Sequence, residues 1–306
     1  MTNVRVYLSP TGVVQAFLGG ARASLFTGNC EELLARIPDE SVDLTITSPP
    51  YCIGKEYDRS KSVQDFIADH ERILPEIARI TKVGGSICWQ VGYHVVNRVT
   101  YPLDYAVFSI LSTLPGLTLR NRLIWTFGFG INHPNRFSGR HETILWFTKG
   151  SNYYFNLDAV RVPQKYPGKR KYKGSKRGEY SCNPKGKNPG DVWEIPNVKA
   201  GHIEKSGHPC QFPVALADRL VRALCPKSGV VLDPYSGSAS TGVAAAVNEC
   251  RFVGAEINRG YQEIARERLT TAYNGTARFR SADKPLYVGT PGLAVVRRPE
   301  HFAVQI

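Results

Sequence analysis

The spacing of hydrophobic residues along the chain predicts strands that alternate with helices, as in an α/β fold. Short runs of β-branched and apolar residues predict strands, at residues 23–26, 41–46, 86–91, 141–148, 229–233 and 252–256. Apolar residues three or four positions apart predict helices, at residues 31–37, after Ser62 and at 240–247. We expect Pro75 to kink or split the second helix and Gly84-Gly85 to end it.

Two further stretches have patterns of their own. From residue 117 to 127, apolar side chains fall on alternate positions and are interrupted only at Asn121 and Ile124, which predicts a half-buried strand. The polar, glycine-rich residues 128–140 then predict a long loop, and substrate contacts are expected there.

Composition narrows the class of protein. The 306 residues are 42% hydrophobic and 21% charged, which is globular, and the formal net charge of +13 favours a polyanionic partner. The seven cysteines are never spaced as Cys-x-x-Cys, so we expect reduced intracellular thiols and predict no metal site. Without a run of signal-peptide or membrane-span length, the expectation is a soluble cytoplasmic protein with no membrane partner.

The predicted strand at residues 41–46 runs into Ser48, Pro49, Pro50 and Tyr51. Neither proline has an N–H, and Pro50 restricts Pro49 to an extended conformation. The Pro49 carbonyl is therefore expected to be a fixed acceptor that no hydrogen bond of a strand ladder uses. Ser48 adds a hydroxyl and Tyr51 adds a flat aromatic face. Such a cluster suits a planar ligand with an amino group, such as a nucleobase. The alternative is an ordinary strand that ends in a Pro-Pro turn.

A second site is predicted after the strand at residues 229–233. The turn and helix that follow are rich in small residues, which lets a ligand approach the backbone, and Glu256 lies about twenty residues beyond Gly237, where an acid can accept both ribose hydroxyls. Asp233 at the strand end would repel a pyrophosphate but accept hydrogen bonds from an ammonium group. This combination points to S-adenosylmethionine. The alternative is a structural βαβ unit without a ligand.

Residues 150–200 differ in kind, because cations are interleaved with tyrosines, prolines and glycines. One interpretation is a solvated, partly disordered insert. The other is a nucleic-acid surface in which cations contact phosphates and tyrosines stack or contact base edges. The cations assigned to DNA binding are Lys165, Lys169, Arg170, Lys171, Lys173, Lys176 and Arg177.

Three motifs together carry a family resemblance over roughly residues 23–270. They are Thr47-Ser48-Pro49-Pro50-Tyr51, His208-Pro209-Cys210-Gln211-Phe212-Pro213 and Leu232-Asp233-Pro234-Tyr235-Ser236-Gly237-Ser238. In sequence and in order they resemble the DNA amino-methyltransferases of the permuted β class. The resemblance implies a Rossmann-like, circularly permuted methyltransferase sheet of about seven strands. Its parts are a catalytic half (23–149), a basic recognition insert (150–200), a cofactor half (201–274) and a tail (275–306).

The resemblance also implies a sequence-specific enzyme that moves a methyl group from S-adenosylmethionine to the exocyclic amino group of a base flipped out of double-stranded DNA. Ser48 and the Pro49 carbonyl would hold the amino group, with Pro50 completing the motif, and Tyr51 would stack on the base. The residues implied to bind the cofactor are His208, Pro209, Gln211, Phe212, Asp233, Tyr235, Gly237, Ser238 and Glu256. The partners implied are DNA and, for some members, a cognate restriction endonuclease, with the enzyme a monomer or a dimer.

Some positions depart from the family pattern or leave alternatives open. Ala239 and Ser240 stand where members often have Gly and Thr, and Asn29 where many have Asp. Ser48 with Phe212 favours cytosine N4 as the target over adenine N6, whose enzymes more often carry Asp or Asn in place of that serine. The alternatives from other classes are a non-catalytic DNA-binding protein on the same fold and a methyltransferase for RNA or a protein side chain.

Cys210 forms a Pro-Cys-Gln sequence that looks like the nucleophile motif of cytosine-C5 methyltransferases. In that family the cysteine follows the cofactor loop, whereas here it precedes it. A thiolate mechanism would also leave the Pro-Pro-Tyr motif without a role. We therefore predict that Cys210 is not a nucleophile.

Overall fold

The computed structural model describes residues 4–51, 62–128, 130 and 132–282. Nine strands form one mixed sheet, and two more form a separate hairpin. The strands are β1 (Val4–Tyr7), β2 (Ala23–Thr27), β3 (Val42–Thr47), β4 (Thr81–Val91), β5 (Tyr93–Val96), β6 (Val99–Pro102), β7 (Leu117–Thr126), β8 (His141–Lys149), β9 (Val192–Glu194), β10 (Val230–Asp233) and β11 (Arg251–Glu256). The helices are α1 (Pro10–Leu18), α2 (Cys30–Leu34), α3 (Val63–Ile80), α4 (Leu103–Leu111), α5 (Val214–Leu224), α6 (Ser240–Val247) and α7 (Arg259–Tyr273), with a 3₁₀ turn at Asp158–Val160.

The strand order of the large sheet is β1-β2-β11-β10-β3-β4-β8-β7-β9. Neighbours from β1 to β4 are parallel, β8 is antiparallel to both β4 and β7, and β9 is parallel to β7. The chain continues from β10 to β11 on one side and from β3 to β4 on the other. The boundary between β10 and β3 is therefore a topological switch point, where α/β sheets open a crevice at the carboxyl ends of the strands.

Helices cover both faces of the sheet. Buried side chains of α1 to α4 form one core with one face, and those of α5 to α7 form another with the opposite face. Alternate residues of β4 supply the two cores, with Ile87 and Trp89 in the first and Cys88 in the second. This alternation is what a strand buried on both faces requires. The predicted α/β architecture is thus confirmed, with nine strands in place of about seven.

Helix α3 begins where predicted but ends earlier. Ser62 and Asp65 form a reciprocal capping box at its start, and the helix runs through Pro75 without being split. It ends at Ile80, ahead of Gly84-Gly85, because Thr81 is already extended and pairs with Val42 as the first residue of β4. Strand pairing thus ends the helix before the glycines do.

Several elements have no counterpart in the sequence prediction, among them β1, α1, the β5–β6 hairpin and α4. Strand β9 lies inside the predicted basic insert and pairs with β7. Most of the predicted tail, residues 283–306, lies outside the described residues, as does Cys52. Within the part of the chain that is described, no helix combines the length and apolar character needed to cross a bilayer.

Candidate active site

A cavity of about 690 Å³ opens at the switch point between β10 and β3. It collects residues of all three sequence motifs, although the motifs lie far apart along the chain. The predicted site residues on its wall are Ser48, Pro49, Pro50, Tyr51, His208, Pro209, Gln211, Phe212, Tyr235, Gly237, Ser238 and Glu256. Of the predicted catalytic and cofactor residues, Asp233 is the one that does not line it. A cavity of this size suits a ligand as large as a nucleoside cofactor.

One end of the cavity carries the Pro-Pro-Tyr motif that follows β3. The Ser48 hydroxyl lies 3.0 Å from the Tyr51 hydroxyl. Tyr51 in turn donates to Oε2 of Glu142 at 3.3 Å and lies 3.4 Å from the carbonyl oxygen of Gln90. The Gln90 amide also donates to Glu142. The Ser48 hydroxyl is therefore part of a chain that ends on a half-buried acid, Glu142.

The other end is formed by the loop after β10 and the end of β11. The backbone N–H of Gly237 donates to Oε2 of Glu256 at 3.0 Å, and the N–H of Asn258 donates to Oε1 at 2.8 Å. Burial raises the pKa of Glu256. These two donors fix the direction of the carboxylate at the cavity wall, where it can accept hydrogen bonds from a diol.

Gly237 has a positive φ of 50°, and a Cβ there would lie 2.9 Å from Nε2 of His208. A larger residue would thus be strained and would also push against the imidazole. The cradle that the missing side chain leaves, together with the acid Glu256, fits the methionine and ribose parts of S-adenosylmethionine. The residues present therefore match the cofactor that the sequence predicts.

His208 is held in a neutral form. Its Nδ1 accepts the N–H of Cys210 at 3.2 Å, and its ring meets Tyr261 edge to face with the centroids 4.5 Å apart. Burial lowers the pKa of His208 to about 4. A neutral imidazole beside Gly237 places no positive charge against the cationic sulfonium of the cofactor.

The His208–Phe212 segment is tied to the rest of the site by buried and partly buried hydrogen bonds. The side chain of Gln211 accepts from the Ser206 hydroxyl at 2.7 Å and donates to the Glu204 carbonyl at 2.9 Å. The Ser240 hydroxyl of α6 donates to the carbonyl of Phe212 at 2.8 Å. Gln211 thus orders its own loop, and Ser240 fastens that loop to the start of α6.

Asp233 lies behind the cavity wall and is fully buried. Its Oδ1 accepts from the Thr47 hydroxyl at 2.6 Å and from the Tyr235 N–H at 3.1 Å, while Oδ2 has no hydrogen-bond partner among the described residues. Burial raises the pKa of Asp233 to about 6. The structure thus uses this carboxylate to join β10 to β3, and the predicted contact with an ammonium group stays a prediction.

The positions that depart from the family pattern have local structural roles. Asn29 caps α2 by accepting the N–H of Glu31 at 3.1 Å and also lines the cavity. Ala239 adopts a left-handed conformation, φ 57° and ψ 43°, at the start of α6. This is a conformation in which glycine is less strained, so the Gly common in the family at this position has a backbone reason.

A family model described as DNA methylase, of the N6/N4 kind, matches residues 42–267. The chain belongs to this family. The methylase is accordingly an S-adenosylmethionine-dependent DNA methyltransferase that acts on an amino group of the N4-cytosine or N6-adenine kind. The match begins at β3 and includes all three motifs.

Relatives of the methylase cover most of its length. The Type II methyltransferase M.BglII of Bacillus subtilis is 42% identical over 247 residues, which are 80% of this chain and 68% of that protein. The Type II methyltransferase M.ScaI of Streptomyces caespitosus is 38% identical over 80% of each chain. The DNA adenine methyltransferase YhdJ of Escherichia coli K12 is 31% identical over 87% of this chain and 89% of that one.

Solved structures agree on the fold. The cytosine-N4-specific PvuII DNA methyltransferase superposes with a TM-score of 0.64 at 19% identity, covering 85% of the methylase and 94% of that chain. A putative DNA modification methylase of Thermus thermophilus, solved with S-adenosyl-L-methionine, has a TM-score of 0.60 at 27% identity, covering 82% and 94%. The predicted Rossmann-like methyltransferase fold is confirmed by these likenesses.

The methylase also has cavity residues that sequence reasoning missed. Glu142 comes from the start of β8 and Gln90 from β4, and the antiparallel pairing of these strands brings both beside Tyr51. Helix α3 adds His70, and the segment after β9 adds Lys199. One signal was available in the sequence, because Glu142 is an acid near the start of a predicted strand whose residues 144–147 are apolar.

The basic insert combines surface cations with a few core residues, since Val160, Trp193 and Ile195 are buried. Six of its seven predicted DNA-binding cations are exposed, and Lys171 is half-buried. Three of them also make local contacts. The Arg170 guanidinium lies over the ring of Tyr180 at 4.2 Å and the Lys165 ammonium over that of Tyr166 at 5.5 Å, and Lys171 pairs with Glu179 at 3.0 Å. Binding of DNA by these cations stays a prediction.

Proposed function

We propose that the methylase transfers a methyl group from S-adenosylmethionine to the exocyclic amino group of a base flipped out of duplex DNA, with cytosine N4 as the favoured acceptor. The observation that carries this proposal is the position of Ser48. Its hydroxyl stands on the same cavity wall as Pro49 and Tyr51, and the Gly237 cradle and Glu256 line the same cavity. One cavity thus holds the amine site and the cofactor site together.

The chemistry needs little beyond this arrangement. An exocyclic amine is a poor nucleophile because its lone pair is delocalised into the ring. Acceptors on its hydrogens, here the Ser48 hydroxyl and the Pro49 carbonyl, favour the pyramidal form with a localised lone pair. The remaining task is to place that lone pair in line with the methyl group of the sulfonium. No covalent intermediate with the protein is required.

The position of Ser48 on the cavity wall supports base flipping. A base stacked in a duplex cannot reach a hydroxyl on the wall of a cavity at the carboxyl edge of a sheet, so the target must leave the stack. The ring of Tyr51 lines the cavity and its hydroxyl is held by hydrogen bonds. A fixed aromatic face of this kind can stack on the extruded base.

The choice of cytosine N4 rests on Ser48 and Phe212, at positions where the adenine enzymes of the family more often have Asp or Asn in place of the serine. Adenine N6 is the second candidate, and a specific similarity favours it. YhdJ, which is 31% identical over 87% of this chain, is named a DNA adenine methyltransferase. The experiment below decides between the two bases.

The test is to incubate the full-length protein with labelled S-adenosylmethionine and duplex DNA of mixed sequence, digest the DNA to nucleosides and identify the labelled one by mass spectrometry. We expect N4-methylcytosine. N6-methyladenine would overturn the base assignment alone. An absence of labelled nucleoside, with the cofactor bound in calorimetry, would overturn the proposed DNA substrate, and RNA in place of DNA is then the next assay.

We further propose that the insert cations bind the DNA backbone. Removing one phosphate contact should reduce the slope of log affinity against log salt by about 0.9. Replacing Lys173, Lys176 and Arg177 by Gln should therefore lower the slope by about 3 without changing cofactor affinity. An unchanged slope would exclude these three from the interface.

Sequence specificity and a partner restriction endonuclease complete the proposal. They are supported by relatives named Type II methyltransferases. Genomic DNA from cells that produce the methylase should resist some restriction enzymes and remain sensitive to others. Uniform sensitivity to a broad panel, despite methylation in the nucleoside assay, would argue against protection as the role.

A further inference from the structure

The end of the cavity that carries Ser48, Pro49 and Tyr51, where the amine is proposed to bind, is the amine end. Glu142 is an acid at this end, and the proposed function gives it no role. It is the second residue of β8, it lines the cavity, and its Oε2 receives hydrogen bonds from the Tyr51 hydroxyl at 3.3 Å and from the Gln90 amide. A half-buried acid that is hydrogen-bonded to Tyr51 of the Pro-Pro-Tyr motif calls for a chemical explanation, because withdrawing a carboxylate from water is costly.

The hydrogen bonds have one consistent direction. An ionised carboxylate and a backbone carbonyl can only accept, so Tyr51 donates its proton towards Glu142 or Gln90. The Ser48 hydroxyl, 3.0 Å from Tyr51, must then donate to the Tyr51 oxygen. With its proton directed at Tyr51, the Ser48 oxygen keeps its lone pairs available as acceptors for an N–H of the substrate amine.

The reaction also produces a proton. Once the amine nitrogen has taken the methyl group it carries a positive charge, and it must lose one hydrogen to give the neutral methylamino product. We propose that Glu142 receives this proton through Ser48 and Tyr51. The inference rests on the proposed function, because it takes the amine of the base as the group held by Ser48.

The step balances without any further reagent. The bond between sulfur and the methyl carbon breaks, its electron pair stays on sulfur, and the amine lone pair forms the new bond from nitrogen to carbon. The nitrogen then gives a proton to the Ser48 oxygen, Ser48 gives its own to Tyr51, and Tyr51 gives its own to Oε2 of Glu142. The carboxylate becomes a carboxylic acid, and it returns to the ionised form by releasing the proton to solvent through the open cavity.

The surroundings of Glu142 suit an acceptor that works near neutral pH. Burial raises the pKa of Glu142 to about 7. The titratable group that faces Glu142 is Tyr51, and burial holds the pKa of Tyr51 well above its usual range. Strand β4 contributes the neutral Gln90 amide. On β7, Trp125 is the residue paired with Glu142 in the strand ladder. A base with a pKa near the working pH is the most effective kind.

The alternative role for Glu142 is a structural support that keeps Tyr51 in place, and the two roles differ in their pH dependence. A proton acceptor must be ionised, so the rate should fall as the pH drops through about 7, the pKa of Glu142. A purely structural contact to Tyr51 predicts a lower rate in the variant with the wild-type pH profile retained.

The experiment measures single-turnover methyl transfer by the full-length protein, saturated with S-adenosylmethionine and duplex DNA, from low to high pH. For the wild type we expect a rate that rises about tenfold per pH unit up to the pKa and then levels off. Glu142→Gln should be slower by about 100-fold at high pH, and its pH–rate profile should lack the rising part, or limb, below pH 7. Glu142→Asp should restore the limb in part, and cofactor affinity should be unchanged in both.

Two further variants keep the test decisive. Glu194→Gln, the same change at an exposed glutamate of β9, is the matched control and should behave as wild type. Tyr51→Phe keeps the ring but breaks the chain, so it should also lose the limb, and it decides the matter if Glu142→Gln does not fold. A Glu142→Gln rate within about threefold of wild type, or a retained limb, overturns the inference and leaves the proposed function intact. A wild type that methylates no DNA overturns both.

Discussion

The two ends of the cavity are built in different ways. At the proposed amine end, side chains from the segment after β3 and from β8 meet in one hydrogen-bond chain, from Ser48 through Tyr51 to Glu142. At the cofactor end, the backbone N–H of Gly237 and the carboxylate of Glu256 form a local cradle around the ends of two adjacent strands. The amine end therefore depends on side-chain chemistry, and the cofactor end depends on backbone shape.

This contrast has a functional consequence. Groups that act on the amine should affect the rate at saturating cofactor and leave cofactor affinity alone. Groups that shape the cradle should affect cofactor affinity first. Each substitution below tests that separation. A substitution that lowered the rate at saturating cofactor and the cofactor affinity together would show that the two ends are not independent.

The largest effect is expected for Ser48→Ala. Removing the hydroxyl takes away one of the two acceptors proposed for the amine and interrupts the chain to Glu142. The loss of one positioned polar group of this kind lowers the turnover number by about 100-fold or more. Steady-state methylation and calorimetric binding of S-adenosylmethionine measure the two quantities separately.

The control for Ser48→Ala is Ser109→Ala, which removes an exposed hydroxyl that donates to the Ala106 carbonyl within α4. It should leave both rate and affinity unchanged. If Ser48→Ala weakened cofactor binding as much as it lowered turnover, the amine end would not be separate from the cofactor end.

A substitution at the cofactor end should have the opposite signature. Gly237→Ala adds a Cβ at a positive φ and within 2.9 Å of the His208 ring. We expect cofactor affinity to fall by about 5- to 30-fold, because strain of about 1–2 kcal/mol would displace the loop and the His208 ring that form the cofactor cradle. The turnover number at saturating cofactor should stay close to wild type.

Gly20→Ala is the matched control for this strain, because Gly20 also has a positive φ but a Cβ there would contact nothing within 4 Å. It should lower thermal stability slightly and leave cofactor affinity as it is. Equal losses of affinity in the two variants would show that general destabilisation, and not a change at the cofactor cradle, explains the effect.

Glu256→Gln should have a smaller effect at the same end. The amide oxygen can still accept one of the two backbone N–H groups, but the charge that strengthens hydrogen bonds to a ribose diol is gone. Calorimetry should show cofactor affinity about tenfold weaker. Glu267→Gln, an exposed acid on α7, serves as the control. An unchanged affinity for Glu256→Gln would remove the ribose role.

The cofactor end is also the end that the sequence predicts more completely. The strand, the small-residue turn and Glu256 are neighbours in sequence, so local spacing is enough to identify them. The prolines after Ser48 are equally local, because each fixes its own φ. Glu142 and Gln90 escape this reasoning because they reach Tyr51 only through the register of β4 against β8, in which Val91 lies opposite Thr143.

Asp233 shows a second limit of sequence reasoning. Its place at the end of β10 is correctly predicted, yet the strand end alone does not determine where the side chain turns. In the structure the Thr47 hydroxyl of β3 donates to the Asp233 carboxylate and holds it behind the cavity wall. The helix boundary at Ile80 is a third case. The helix ends there because Thr81 pairs with Val42, and such a long-range contact cannot be inferred from the glycines at 84 and 85.

The smallest effect is expected for Cys210→Ser. Cys210 is an exposed thiol on the cavity wall, and it lies in the His208–Phe212 segment beside the cofactor end. If methyl transfer goes directly from sulfur to an amine, a thiolate has no bond to make, so turnover should stay within about threefold of wild type. A cytosine-C5 enzyme would instead lose all turnover with this change while still binding the cofactor, and its wild-type product would be 5-methylcytosine. Measuring rate, affinity and product nucleoside together therefore tests whether the amine end, and not the thiol, carries the chemistry.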